Sequence, residues 1–199
     1  MNSFEEIRKI FIENDGIART SDIIGKGFHN RHINIFINEG KIIRLKRGVY
    51  QWIEGGEKEE VEILFRLFPE AIICMDSALY YHGYTDRTPG CWHIAVDRDE
   101  NKRKYRIDFP VVKIYFVKAQ YLEIGVESGC INGTRVKVFD KERIICDVIR
   151  YSNKLDKELV NKAIQSYLKD PEKNISRLVN YAKRLRAYKK VQHWMGVWL

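Results

Sequence analysis

Hydrophobic and polar residues between Thr20 and Trp52 change from a helical period to a strand period. Three apolar residues first recur at the 3.6-residue spacing of an amphipathic helix: Ile33, Phe36 and Ile37. Gly40 follows them, where a helix is usually capped. Apolar and basic residues then alternate, which predicts a hairpin that turns at Arg47-Gly48. With a short helix starting at Thr20, this order predicts a winged helix-turn-helix.

The polar side of the second helix contains the candidate base-reading residues. At 100° per residue, the face opposite the apolar stripe presents Arg31, Asn34, Ile35 and Asn38. Arginine can bond bidentately to guanine and asparagine to adenine, so we predict that Arg31, Asn34 and Asn38 contact bases in a major groove. A merely solvated helix face is the alternative interpretation.

The tip of the hairpin, or wing, is basic. It contains Arg44, Lys46 and Arg47, for which we predict contacts with DNA phosphates. An ordinary soluble turn can have the same composition. The combination of helix, turn, helix and basic wing on a basic chain favours DNA binding over that alternative.

The remainder of the chain predicts an α+β fold. Two glycines within a charge run predict a linker at residues 54–60, between a winged domain of residues 1–53 and a second domain of residues 61–199. Strands are expected at 71–74, 92–96, 111–117 and 134–139, and helices at 61–68, 77–82, from 140, 159–168, 174–186 and from 191 to Trp198. The second domain is thus predicted to combine a mixed sheet with C-terminal helices. Apolar residues on both sides of the 111–117 strand predict that both of its faces are covered.

The net charge of +8 is concentrated at the two ends of the chain. Residues 1–53 hold 9 Lys+Arg against 6 Asp+Glu, whereas residues 151–199 hold 11 against 4. Such an excess predicts a polyanion partner. In the last segment the apolar residues form one helical stripe, which leaves Lys183, Arg184 and Arg186 off the core face as candidate polyanion contacts. A solvated surface is again the alternative.

Several features predict a cytoplasmic protein of the bacterial type. No run of 18 apolar residues is present, so no membrane span is expected. The N-terminus, MNSFEEIRKI, has acidic residues where a secretory signal has a basic start and an apolar core. Four scattered cysteines are predicted to be reduced and mostly buried: Cys74, Cys91, Cys130 and Cys146.

Few residues suggest catalysis. His82 and Asp86 are spaced as an acid/base pair would be, but a helix end capped by Gly83 explains the same residues. The acids Asp97, Asp99 and Glu100 alternate with cations and are predicted to be solvated rather than to bind a metal. No glycine-rich phosphate loop or hydrolase motif is present. We therefore expect no enzyme, no cofactor and no metal.

A DNA-processing enzyme, such as a nuclease targeted by the winged helix, is the alternative function. A common metal-dependent nuclease needs acids at fixed spacing on a strand pair, and residues 134–139 contain none. Incubation of a plasmid with magnesium would separate the two functions, because nicking would favour the enzyme.

Four segments resemble the AbiEi family of antitoxins, the repressor-antitoxins of bacterial AbiE abortive-infection (type IV toxin–antitoxin) systems. They are GFHNRHINIFINEGKIIRLKRGVY, AIICMDSALYYHGYTDRTP, VKVFDKERIICDVIR and NISRLVNYAKRLR. The second and third segments are the most specific, and the resemblance extends over nearly the whole chain. Two positions depart from the family pattern. Gly25 replaces a helix former, and His29 stands where serine or threonine often caps the recognition helix.

The resemblance implies a function for each domain. The winged helix would bind inverted repeats of operator DNA upstream of its own operon and repress it. The C-terminal domain would counter a partner toxin that is similar to nucleotidyltransferases, as part of a defence against phage. Type IV antitoxins are thought to act without a stable toxin complex, and direct contact between the two proteins stays open.

Overall fold

The computed structural model describes residues 3–54 and 58–196. The chain forms two compact units, the first of residues 1–63 with 105–111, and the second of residues 64–104 with 112–199. This division differs from the boundary expected from sequence in two places. It falls after Ile63, inside a helix that begins at Glu60, and it assigns residues 105–111 to the winged unit.

The first unit is a winged helix-turn-helix. Its elements are α1 (Ser3–Glu13), β1 (Ile17–Arg19), α2 (Thr20–Gly25), α3 (Asn30–Asn38), β2 (Ile42–Lys46) and β3 (Val49–Trp52). The three strands form an antiparallel sheet in the order β1-β3-β2. The β2–β3 hairpin is the wing, and α3 occupies the position of a recognition helix.

Aromatic rings hold this small unit together. The Trp52 ring centroid lies 5.5 Å from those of both Phe4 and Phe11, so the last strand of the sheet packs against α1. Ile33 and Phe36 of α3 are buried in the same core, as the apolar stripe predicted. Burial of this stripe determines which side of α3 faces the solvent.

The second unit is an α+β domain. It contains the second half of α4 (Glu60–Leu67) and the following further elements: β4 (Ile72–Ile73), α5 (Met75–Tyr81), β5 (Trp92–Asp97), β6 (Val112–Val117), α6 (Ala119–Leu122), β7 (Val126–Ile131), β8 (Thr134–Phe139), α7 (Lys141–Arg150), α8 (Lys157–Lys169), α9 (Ile175–Arg184) and α10 (Tyr188–Met195). The strand order is β6-β5-β4-β8-β7, with parallel pairs β4/β8 and β5/β6 and antiparallel pairs β4/β5 and β7/β8. The predicted fold class is confirmed. Trp198, expected in the last helix, lies outside the described residues.

Helix α7 is the buried helix of this unit, and its charged side chains are all occupied. The Arg143 guanidinium donates to Asp147 at 2.8 Å and to the carbonyl oxygens of Tyr121 and Ile124 at 2.5 and 2.6 Å. Glu142 accepts from the Asn174 backbone amide at 2.9 Å. Buried charges are tolerated only when they are paired and hydrogen-bonded in this way. The polar residues of the FDKERIICD segment therefore serve the fold.

One strand prediction is wrong, and one strand was not predicted. The 111–117 segment forms β6, an edge strand whose Lys113 and Phe116 side chains are exposed, so it is not covered on both faces. Its apolar character reflects packing on one side and a cavity, described below. Strand β7 is not predicted, although Asn132-Gly133 turns the chain with two positive φ angles of 48° and 81°. Asn-Gly is the strongest short hairpin signal.

Candidate nucleic-acid interface

Helix α3 presents the predicted polar face to the solvent. Arg31, Asn34 and Asn38 are all exposed, and Ile35 on the same side is 48% exposed. Among the residues that the structure describes, Arg31 has no ion-pair partner. The face is therefore polar, cationic and accessible, which is what contact with base edges requires.

The start of α3 shows how this helix is capped without serine or threonine. The N-cap residue is His29, whose backbone N–H donates to Nδ1 of His32 at 3.0 Å. The two imidazole rings stack with centroids 5.8 Å apart. The His32 side chain thus accepts the hydrogen bond from the N-cap backbone amide, as the third helical residue of a capping box does. Asn30 is the first helical residue and not the cap.

The wing is a tight hairpin with Arg47 at its tip. Gly48 has a φ of +76°, which lets the chain reverse there, and its carbonyl oxygen accepts from the Thr20 backbone amide at 2.9 Å. Arg47 is exposed and forms no ion pair within residues 3–54 and 58–196. Lys46 is half-buried. The tip thus offers at least one cation for a phosphate.

Arg44, the third predicted phosphate contact, is already paired. Its Nε donates to Oδ2 of Asp108 at 2.7 Å. The backbone amides of Asp108 and Phe109 donate to the Leu45 carbonyl oxygen at 2.7 and 3.1 Å, which holds this segment against β2. Asp108 follows Arg44 by 64 positions, so no local sequence signal reveals the pair. The positive charge of Arg44 is therefore neutralised by Asp108 in this structure.

The three predicted cations of the C-terminal segment are exposed but do not form one site. Nζ of Lys183 lies 5.5 Å from the Tyr188 ring centroid. Of the three, only Arg186 lines a surface groove of about 670 Å³, whose other cations are Arg150, Lys189 and Lys190. The sequence missed these three because they come from two helices that are distant along the chain, Arg150 from α7 and the two lysines from α10. The groove, rather than the Lys183–Arg186 run, concentrates positive charge.

His82 and Asp86 do not form an acid/base pair. Nε2 of His82 donates to the Phe139 carbonyl oxygen at 2.8 Å, and Asp86 pairs with Lys162. The hydrogen bond from Lys162 lowers the pKa of Asp86. Gly83, with a φ of +70°, follows the end of α5. The interpretation as a helix end is the one that the structure supports.

A buried polar cluster around His93 has no counterpart in the sequence predictions. Nδ1 of His93 accepts from the Asp76 backbone amide at 3.4 Å, and its own backbone amide donates to Ser77 Oγ at 2.9 Å. Burial lowers the pKa of His93, which favours the neutral ring that accepts this bond. These contacts tie β5 to the start of α5, so the cluster has a structural role.

The remaining sequence predictions concern metals, cysteines and membranes. Within the described residues, no group of three or more His, Cys, Asp or Glu side chains is placed to hold a metal ion. The cysteines are free; Cys74 and Cys146 are buried, as was expected of most of them, whereas Cys91 is half-buried and Cys130 is exposed. In residues 3–54 and 58–196, no helix has the length and apolar composition needed to cross a bilayer.

Comparison with known proteins supports the fold. No protein-family model matches the chain, and no curated protein sequence matches it either. The crystal structure of the RV2827C protein from Mycobacterium tuberculosis is similar, with a TM-score of 0.51 over 96% of this chain and 79% of that one. The two sequences are 11% identical, so the likeness concerns the fold alone.

Proposed function

We propose that this protein is a bacterial cytoplasmic repressor and antitoxin of the type IV toxin–antitoxin kind. Its winged helix would bind operator DNA upstream of its own operon, and its second unit would counter a nucleotidyltransferase-like toxin. The resemblance of four segments to AbiEi antitoxins motivates the pairing of the two activities. No catalytic step is assigned to the chain.

The exposed polar face of α3 is the observation that carries the DNA-binding half. Arg31, Asn34 and Asn38 share this face, while Ile33 and Phe36 anchor the opposite side in the core. A helix held in this way can enter the major groove with its side chains extended toward base edges. Exposed Arg47 on the wing then supplies a phosphate contact beside the groove. Inverted repeats would seat two copies on two half-sites.

The antitoxin half rests on the resemblance and on the basic groove of the second unit. Arg150, Arg186, Lys189 and Lys190 line that groove. FDKERIICD, from one of the two most family-specific segments, is largely buried in α7 and just before it, and it offers little surface to a macromolecular partner. A polyanion, either DNA flanking the operator site or an RNA related to the toxin, would therefore meet the groove and the cations beside it.

A charge-reversal variant tests both halves. Lys183→Glu/Arg184→Glu/Arg186→Glu is expected to fold, because all three side chains are exposed. It should impair operator affinity, or growth rescue when co-expressed with the neighbouring toxin gene, or both. Lys154→Glu/Lys157→Glu/Lys169→Glu is the matched control, since these exposed lysines neither line the groove nor belong to the predicted Lys183–Arg186 run.

Each result has a defined meaning. Rescue by the wild-type chain supports the antitoxin, and failure of the wild-type chain to rescue growth contradicts it. If the folded charge-reversal variant keeps both operator affinity and rescue, the C-terminal cations are only solvated and their proposed polyanion contact is wrong.

A further inference from the structure

A second basic cavity lies inside the second unit, between the sheet and α7. Its volume is about 230 Å³. One wall is the stripe Arg143, Asp147 and Arg150, which occupy one side of α7 at helical spacing. The opposite wall comes from β5 and β6 and from the segments that follow them. We propose that this cavity binds a 5′-phosphorylated nucleotide, a function beyond operator binding and toxin neutralisation.

The position of the cavity in the sheet fits a ligand site. Strands β5 and β6 are parallel, with Asp97 opposite Val117 at their carboxyl ends. Arg98 and Lys118 are the next residues of the two strands, and both line the cavity. Ligands of α/β sheets bind outside the carboxyl ends of parallel strands, where the following loops diverge. Two cations at this edge predict an anionic ligand.

The electrostatic balance of the lining residues also favours an anion. Asp147 is its one carboxylate, and both oxygens are occupied, Oδ2 by Arg143 Nε and Oδ1 by Arg150 Nη1, each at 2.8 Å. Arg98 and Lys118 are exposed and form no ion pair in the part of the chain that the structure describes. Four cations therefore face one neutralised carboxylate. A phosphate group would satisfy the unpaired ones, with Arg150 donating from its remaining N–H groups.

Aromatic side chains supply the second half of the site. Tyr115, Tyr121 and Tyr151 line the cavity, and the rings of Tyr115 and Tyr151 meet edge to face with centroids 6.1 Å apart. The Tyr115 hydroxyl lies 3.5 Å from His93 Nδ1, which orients that ring. A base can stack on tyrosine while its phosphate bonds to arginine and lysine. Phosphate and a planar base together define a nucleotide.

The size of the cavity limits the ligand to one nucleotide. Its volume of about 230 Å³ is below the roughly 300–1,000 Å³ that is typical of pockets for drug-sized molecules. A free mononucleotide and the 5′-phosphate end of a nucleic-acid strand present the same groups. Tyr121 and Arg150 also line the basic groove described above, so a strand whose end enters the cavity could continue along that groove.

Isothermal titration of the full chain with AMP tests the proposal. We expect one AMP per chain, with adenosine and inorganic phosphate each binding at least about tenfold more weakly, because each lacks one half of the recognition. Arg98→Ala/Lys118→Ala should weaken AMP binding about tenfold or more. Lys157→Ala/Lys169→Ala removes the same charge from exposed lysines outside the cavity and should leave binding unchanged.

Two further ligands identify the source of the phosphate. A 5′-phosphorylated adenosine trinucleotide that binds more tightly than AMP indicates a strand end, provided that the 5′-hydroxyl trinucleotide binds weakly. Equal or weaker binding of the phosphorylated trinucleotide indicates a free nucleotide. Absence of AMP binding, or equal weakening by the cavity and control variants, would overturn the proposal. Operator affinity of the wild-type chain, measured separately, shows whether the DNA-binding proposal fails independently.

Discussion

Arg31 and Asn34 are the two side chains on which sequence-specific recognition should depend most. Both are exposed near the N-terminal half of α3. We expect Arg31→Ala and Asn34→Ala each to cost about 1–3 kcal/mol on the operator and little on random DNA, because a bidentate base contact is lost. Binding to the two DNAs, measured by fluorescence anisotropy, gives the comparison.

Lys9→Ala is a matched control for these variants, since it removes an exposed charge from α1 instead of α3. It should change both affinities equally and slightly. Equal losses on operator and random DNA for Arg31→Ala and Asn34→Ala would show that neither residue reads bases.

The Arg44–Asp108 pair is the residue-scale feature that most changes the predicted interface. Both side chains are exposed, Arg44 by 57% and Asp108 by 49%. The pair should therefore add at most about 1 kcal/mol to the free energy of unfolding. Under the proposed function, a DNA phosphate would have to compete with Asp108 for Arg44. Asp108 would then oppose DNA binding.

Asp108→Asn should strengthen DNA binding by about 0.5–1 kcal/mol, because it releases the Arg44 guanidinium. Adding Arg44→Ala should cancel the gain, which a double-mutant cycle on any DNA sequence would measure. Asp99→Asn controls for the long-range effect of one lost negative charge. A gain that persists without Arg44 would contradict the proposed competition.

At this scale the sequence predicted exposure better than pairing. The helical period correctly placed Arg31, Asn34 and Asn38 on the solvent side of α3, because burial of Ile33 and Phe36 leaves no other orientation. The sequence could not reveal that Arg44, on strand β2, is paired. That contact depends on a segment 64 residues away, which only the tertiary fold brings to β2.

The wing, as an element, should contribute affinity without specificity. Arg47 at its tip is expected to contact a phosphate, so Arg47→Ala should weaken binding to all sequences alike. The slope of log K against log salt should fall by about one unit, corresponding to one lost phosphate contact. An unchanged slope would mean that the wing points away from the duplex.

Helix α7 should determine the stability of the second unit through Arg143. Arg143→Met leaves the Tyr121 and Ile124 carbonyl oxygens without this donor and Asp147 with only Arg150. We expect a loss of about 3–5 kcal/mol in the free energy of unfolding, measured in urea. Arg135→Met, on the exposed side of β8, should change it by no more than about 0.5 kcal/mol. Equal unfolding midpoints for the two variants would show that the Arg143 network adds no net stability.

Elements with strong periodicity were predictable, and those defined by their neighbours were not. Strand β8 has the predicted bounds, Thr134–Phe139, and α7 begins after its predicted cap, Asp140. The edge position of β6 follows from strand order, which no local pattern specifies. The cavity was invisible for the same reason, since Arg98, Lys118 and Arg150 follow or end three separate elements.

On the scale of the whole molecule, both units have exposed positive charge, but it lies on different kinds of surface. In the winged unit it faces outward from α3 and the wing tip. In the second unit it lines a groove and the adjoining cavity, with Arg150 shared by both. The two proposals therefore use separate surfaces: DNA recognition would use the first unit, and binding of a further polyanion or nucleotide would use the second.

The central claim is that the protein recognises the DNA of its own operon, and a single titration tests it. The full chain is titrated at physiological salt against labelled DNA from upstream of its gene and against a shuffled duplex of the same length and composition. We predict at least about a thousandfold tighter binding to the upstream DNA, as specific recognition requires. Equal affinity for the two duplexes would contradict the proposed repressor function.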